Sequence, residues 1–510
     1  MIELFKIWLS ILLGGCLIFG CTSYPTNSQD DKPKEIPFAC TQAFTDGLAD
    51  SIKISDTQQF RYIEFSEDCK KILTIDNTLQ RLRVTDLESN TTIELNNNVD
   101  LARFGRDSNQ VIIRILPEGK AYNQFELYLA QEDQVHLIDT NVLDSFQLSQ
   151  DGSWLAYRKN YVNETYSSDL VLVSLDQIPL NPKTLASGVP GQPSFTNDSQ
   201  KIAYLSNRQA RHYESVNHTC DWHDFDLYLY DMATSQSELL GQGVTSYAVK
   251  MSADNLHILA SADYDCENQS RTMTSFSLNG EDPQALVKKT STFFDLDDVV
   301  EFIEEKKIMH IAVHFPTDPG EIQSELWITN MDGSGSEVVA QNVMSHMQSC
   351  AYFISFMLAA DNTIVYTQRE TLDIIALDLD TQQSWRLLES PESLYFSASP
   401  DGSSIISLYG HEGRVDLVVT NINSAESKTL LADMFDPGRF EWCASGKRLI
   451  YQESPHIIMD KHFVYSIDPA SGQNQVLADD VAQGAYAKLH PGGWLVAVPR
   501  EDGLYLMKVL

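Results

Sequence analysis

The stretch "PSFTNDSQKIAYLSNR", residues 193–208, reads as a short strand, a tight polar turn and a second, more apolar strand. Asn-Asp and Asp-Gly pairs favour two-residue hairpin turns because they tolerate the backbone conformations such turns need. Near-copies recur: "EFSEDCKKILTID" at 64–76, "QLSQDGSWLAYRKN" at 147–160 and "SASPDGSSIISLYG" at 397–410. Aligned on the turn, Asp68, Asp107, Asp151, Asp198, Asp254, Asp361 and Asp401 share one place, with weaker copies near Glu305, Ser445 and Gly492. Neighbouring turns lie about 39 to 56 residues apart, a period that marks propellers and solenoids.

Each unit has the same internal order. After the turn comes a strand apolar on both faces, such as "KIAYLS" or "RLIYQE", then a third strand, such as "DLYLYDM" or "ELWITNM". A polar turn and a fourth strand, such as "SELL" or "KTLLA", complete it. Strands apolar on both faces must be covered on both faces. Four-stranded antiparallel blades repeated radially achieve this, since every blade packs against two neighbours. The period-2, β-branched pattern excludes a helical solenoid, and a flat sandwich would leave one face of each strand polar.

The expectation is an all-β propeller over residues 50–510 with about ten units, in one large ring or two smaller ones. The weak repeat at 290–350 marks a possible seam, where "DDVVEFIEEKKIMHI" reads as a strand pair or a short helix. The last unit stops after three strands, and "DSIKI" at 50–54 is placed to supply the fourth and close the ring. The units resemble TolB-type propeller repeats, with "SPDG" at 399–402 and "NMDGSGSE" at 330–337 the nearest matches. That resemblance implies an extracytoplasmic propeller that binds other proteins, including an outer-membrane lipoprotein. The separate N-terminal domain of that family has no counterpart here.

Residues 1–20 read as an export signal: one Lys in "MIELFK", then the apolar "IWLSILLGGCLIFG", shorter than the roughly 20 apolar residues of a membrane span. The run resembles a bacterial lipoprotein signal. Cys16 and Cys21 compete for the lipid. Cleavage before Cys16 would leave Leu17, Ile18 and Phe19 at the new terminus, so Cys21 is favoured, with residues 21–49 as a polar tether. Thr22 after it implies, by the same resemblance, export to the outer membrane. An ordinary cleaved signal peptide is the alternative.

The chain carries 71 acidic and 36 basic residues over 510 positions, a net charge of −35. Such a balance argues against nucleic acid or a bare anionic lipid surface as the main partner. In an oxidising compartment the six cysteines beyond the signal suggest disulfides. The expected pairs are Cys220–Cys266, Cys40–Cys69 and Cys350–Cys443. The first rests on "SVNHTCDWHDFD" (215–226) and "DYDCENQS" (263–270), which occupy equivalent insertions in neighbouring units. His218, Cys220, His223 and Cys266, with Asp221 and Asp224, form a weaker alternative, a zinc or copper site. These insertions project from one rim, making His212, Tyr213, Trp222, His223 and Phe225 binding candidates.

Catalysis finds little footing. No Gly-x-Ser-x-Gly elbow occurs, "HEGRV" at 411–415 lacks the second His of a zinc-protease motif, and no cofactor motif is present. Asp-rich "DLDD" (295–298) and "DMFDPG" (433–438) lack calcium-loop spacing. The reading is a non-catalytic, lipid-anchored propeller that binds a protein or envelope component through rim loops. A propeller hydrolase or lyase acting on peptides or glycans is the alternative.

Overall fold

The structure is a computed structural model that describes residues 51–508 apart from loop segments, the longest being 292–299, 315–322, 345–355, 390–395 and 453–462. Cys21, Cys40, Cys69, Cys350 and His218, with the signal and tether, lie outside the described residues. All described residues belong to one compact unit, Glu35–Leu510. Every element among them is a strand, and every named pairing is antiparallel.

The strands build ten blades, numbered here in chain order. Blade 1 spans 60–96, blade 2 99–140, blade 3 145–189, blade 4 194–244 and blade 5 250–291. Blades 6 to 9 span 300–341, 356–388, 396–434 and 439–478, and blade 10 begins at 488. Blades 1 to 9 each have four strands in sequential order. One continuous strand, Gln134–Leu148, serves as the last strand of blade 2 and the first of blade 3. Val142 at its bend pairs with Phe125 on one side and Lys159 on the other.

Blade 10 has three strands of its own and takes its fourth from Ser51–Ser55, with Ser51 opposite Met507 and Ile52 opposite Leu506. The closure expected from the sequence is thus formed by the first described strand. It pairs the first described strand with the last and removes an open sheet edge.

Ten apolar clusters fill the ten junctions between consecutive blades. Leu73, Ile75 and Leu82 of blade 1 pack on Ala102, Val111 and Ile113 of blade 2. At the closure, Ala497, Leu504 and Leu506 of blade 10 pack on Phe60, Phe65 and Ile72 of blade 1. Two smaller rings would need a junction between non-consecutive blades, and none of the ten clusters makes one. The blades therefore close as one ring. Residues 290–350 hold no seam among the described positions. Val300–Ile303 and Lys307–His314 form a strand pair there, as part of blade 6. The blade 5–6 cluster is lean, with Leu259, Met273 and Leu286 meeting Ile308 and Met331.

The recurrent turn has a shared chemistry. In blade 3 the Ser149 hydroxyl donates to Asp151 Oδ1 at 2.6 Å, and the Ser153 N–H donates to the same oxygen at 3.0 Å. Thr196–Asp198 and Ser399–Asp401 repeat the hydroxyl contact at 2.6 and 2.5 Å. Burial opposes ionisation of Asp151, but the donors from Ser149, Ser153 and Ser199 outweigh it and hold the carboxyl below its usual range. Gly152 follows at φ +68°, and an added Cβ would stand 2.4 Å from Arg106 Cα in blade 2. Only glycine fits that contact.

Candidate functional site

Antiparallel order puts the first and third turns of every blade on one face of the ring and the second turn on the other. The Asp turns therefore line one face. The hairpins between second and third strands rise from the opposite face, and blade 4 has the longest of them. Its second and third strands, Lys201–Glu214 and Thr219–Asp231, stay paired from Lys201–Asp231 out to Glu214–Thr219, with a register shift between Ser206 and Gln209.

Side chains brace this extension. Asn207 donates to Asp226 Oδ2 at 2.6 Å, and Arg211 Nε donates to Asp224 Oδ2 at 2.7 Å. Arg208 Nη2 lies 2.7 Å from His223 Nε2. A guanidinium can only donate, so His223 accepts through Nε2 and its ring is neutral with the proton on Nδ1.

Cys220 on this hairpin is joined to Cys266 on the blade 5 hairpin, with Cα atoms 6.3 Å apart, inside the ordinary disulfide range. The two thiols are consumed by each other. Asp224 is held by Arg211 and His223 by Arg208. Among the described residues no group of three or more metal-ligating side chains occurs.

Beside the bridge, Trp222 meets Tyr264 edge-on, with ring centroids 5.4 Å apart at 61°. The Arg271 guanidinium stands 5.6 Å from the Tyr264 centroid. Two aromatic rings and a cation thus share one surface, fastened from both blades. His212 is exposed and 4.0 Å from Glu214. Tyr213 lies opposite Cys220 in the register. The structure therefore gathers His212, Tyr213, Trp222 and His223 on one hairpin.

Phe225 does not belong with them. It is 1% exposed and packs with Leu227, Leu229 and Val244 against Ile258 and Phe276 of blade 5. Strand alternation puts residues 225, 227 and 229 on one inward face, so it is a core residue. Tyr264, Arg271 and Arg208 were missed. Tyr264 stands two residues before Cys266 in the quoted "DYDCENQS", and that proximity was the available signal.

The expected Cys350–Cys443 bridge is also corrected at its described end. Cys443 carries a thiol, 1% exposed among Ile450, Val464 and Val496 between blades 9 and 10. Burial pushes that thiol up to about 12.

No protein-family model matches the chain, and no curated protein matches it. Solved propellers do. Dipeptidyl peptidase 4 of Porphyromonas gingivalis matches at 11% identity with a TM-score of 0.45, over 78% of this chain and 65% of its own length. The chain thus spans just under two-thirds of that peptidase. TolB from Acinetobacter baumannii matches at 14% identity and a TM-score of 0.27, over 73% of this chain and 78% of its own. An oligogalacturonate lyase from Vibrio parahaemolyticus matches at 13% and 0.33, over 72% and 97%.

Proposed function

We propose that this chain is a lipid-anchored, extracytoplasmic propeller that binds a protein partner of the cell envelope through the rim formed by the blade 4 and blade 5 hairpins. The observation that carries this reading is the contact of Trp222 with Tyr264 beside the Cys220–Cys266 bridge. Rigid aromatics held on a covalently tied scaffold lose little entropy when they bind. Arg271 beside Tyr264 adds a cation, so the fitting partner offers an apolar side chain next to a carboxylate. The signal-like residues 1–20 and Cys21 support the anchor.

The test is in-cell crosslinking of the tagged full-length protein, followed by mass spectrometry. A partner captured by the wild type, lost with Trp222→Ala and relocated or lost with Cys21→Ala supports the reading. Capture that is unchanged by Trp222→Ala removes the rim from it. A propeller hydrolase or lyase is the second reading. Charged residues on the innermost strands favour it, and a screen of peptide and glycan hydrolysis checks it.

A further inference from the structure

The first strand of each blade is the innermost one; the fourth strands, such as Thr91–Asn96 and Gln236–Val244, are largely exposed at the perimeter. One position on the inner strands repeats in strict register. Glu64 lies opposite Leu73, Arg103 opposite Ile112, Glu441 opposite Ile450 and Lys488 opposite Ala497. Lys250 holds the same place in blade 5, opposite Leu259. Each sits one residue before the last residue of its strand's pairing, so these side chains form a belt at one level of the channel. Three of the five are basic, in a chain where acids outnumber bases about two to one.

The belt is densest across the ring closure, over blades 9, 10, 1 and 2. Lys488 Nζ donates to Glu441 Oε1 at 3.1 Å, and both side chains are almost half exposed. The Tyr62 hydroxyl donates to Glu64 Oε2 at 3.2 Å. Arg103 hydrogen-bonds Tyr62 and lies close enough to Glu64 to act on its charge, as does Lys488. The Phe104 N–H also donates to Glu64. Burial outweighs all of these and pushes the Glu64 carboxyl up to about 7, so its negative charge is only partly present at neutral pH. Farther along, Asp100 on the first strand of blade 2 is shared between Arg61 on the first strand of blade 1, at 2.7 Å, and Arg114 on the second strand of blade 2. Two guanidiniums on one carboxylate leave that end positive as well. Over blades 10, 1 and 2 the channel wall therefore carries more positive than negative charge, on a protein that is otherwise acidic.

We propose that this arc of the channel wall is a binding site for a small carboxylate-bearing ligand, with Arg103 and Lys488 pairing its carboxylate and Tyr62 and Glu64 hydrogen-bonding it. An Arg fork fits a carboxylate in two-point geometry. A Glu that holds its proton donates to the ligand's carboxylate. The site lies apart from the rim hairpins, so its failure and the failure of the rim reading are separable.

The test is calorimetric titration of the full-length protein in detergent with succinate, using succinamide as the neutral control and inorganic phosphate as the competing anion. Succinate is expected to bind and succinamide not to. Arg103→Gln and Lys488→Gln should each weaken succinate roughly tenfold. Arg271→Gln, on the rim, should leave it unchanged. Tyr62→Phe changes no charge and guards against misfolding of the charge variants, and a loss of about threefold is expected from it. Absence of succinate binding, equal binding by the folded variants, unchanged affinity in Tyr62→Phe, or phosphate binding more tightly than succinate would each overturn the proposal.

Discussion

The backbone N–H of Asp151 donates to the Ser199 hydroxyl oxygen at 3.0 Å, so the turn of blade 3 is fastened to the turn of blade 4. The same face repeats the device with other atoms. Ser108 of blade 2 donates to Asp68 of blade 1 at 2.7 Å, and the Asn197 N–H donates to Asn255 of blade 5 at 2.6 Å. Asp68 and Asp151 therefore work twice, each closing its own hairpin and meeting the next blade. Asp151→Ala removes several hydrogen bonds to a charged group and should cost about 2–4 kcal/mol, while Ser199→Ala should cost about 1 kcal/mol. Urea unfolding of the two variants checks the order. Equal midpoints for wild type and Asp151→Ala would show that the turn is ornamental.

Gly152 is a sharper probe of the same seam. Alanine there meets both a left-handed φ of +68° and the backbone of Arg106 at 2.4 Å, which has no flexible end to move aside. Gly152→Ala should lower stability by about 2–4 kcal/mol. Gly119, also at positive φ but with open space around it, supplies the comparison: Gly119→Ala should cost only about 1 kcal/mol. If the two substitutions cost the same, the close approach of blade 2 contributes nothing.

Ring closure makes a separate prediction. Ile52 stands opposite Leu506, and Ile54 packs into the blade 10–blade 1 cluster. Ile54→Ala strips a half-buried side chain from that cluster and should destabilise by about 1–2 kcal/mol. Deleting residues 51–55 also bares the edge of Gly503–Lys508, and open edges recruit other chains. Size-exclusion chromatography should show oligomers for the deletion and a single species for the intact chain.

These closures and turns were legible in the sequence because they are local and periodic. Asp-Gly chemistry, alternating apolar residues and a missing last strand need only short-range reading. Single-ring closure was not legible, since it depends on which blade faces meet, and Leu259 meeting Ile308 leaves no signature in either segment. At the rim the sequence placed Cys220 beside Cys266 because the insertions are equivalent. It misjudged Phe225, because a register shift in the next pairing, between Phe225 and Leu227, hides where the hairpin leaves the blade and the core begins. The channel belt escaped notice for a different reason. Glu64, Arg103 and Lys488 are unrelated as residue types, and only the shared register groups them.

The Cys220–Cys266 bridge closes a segment with a sequence separation of 46. Chain-entropy reasoning gives about 4 kcal/mol for a loop of that size, with measured bridges at about 2–4 kcal/mol. Cys220→Ser with Cys266→Ser should lower stability within that range and weaken partner capture, because the Trp222 and Tyr264 rings sit on the two halves it joins. Mild reduction of the wild type should reproduce both effects. Loss of stability with capture intact would separate the bridge from recognition.

His310 and Glu64 tilt the pH dependence of stability in opposite directions. His310 is fully buried on the second strand of blade 6, with Nε2 3.3 Å from Thr329 Oγ1 and no hydrogen-bond partner at Nδ1. Burial pushes its imidazole down from 6.5 to about 4. Between those values the unfolded chain binds a proton that the folded chain refuses, so stability falls as pH drops through the window, by up to about 3 kcal/mol. Glu64 does the reverse. Its carboxyl is raised from 4.5 to about 7, so the folded chain holds a proton the unfolded chain releases, and stability falls as pH rises through that interval. His310→Leu should flatten the acid side of a plot of urea midpoint against pH. Glu64→Gln should flatten the side approaching neutrality and exceed the wild type at pH 8. A His310→Leu variant as acid-sensitive as the wild type between pH 6.5 and 4 would assign that sensitivity to other groups.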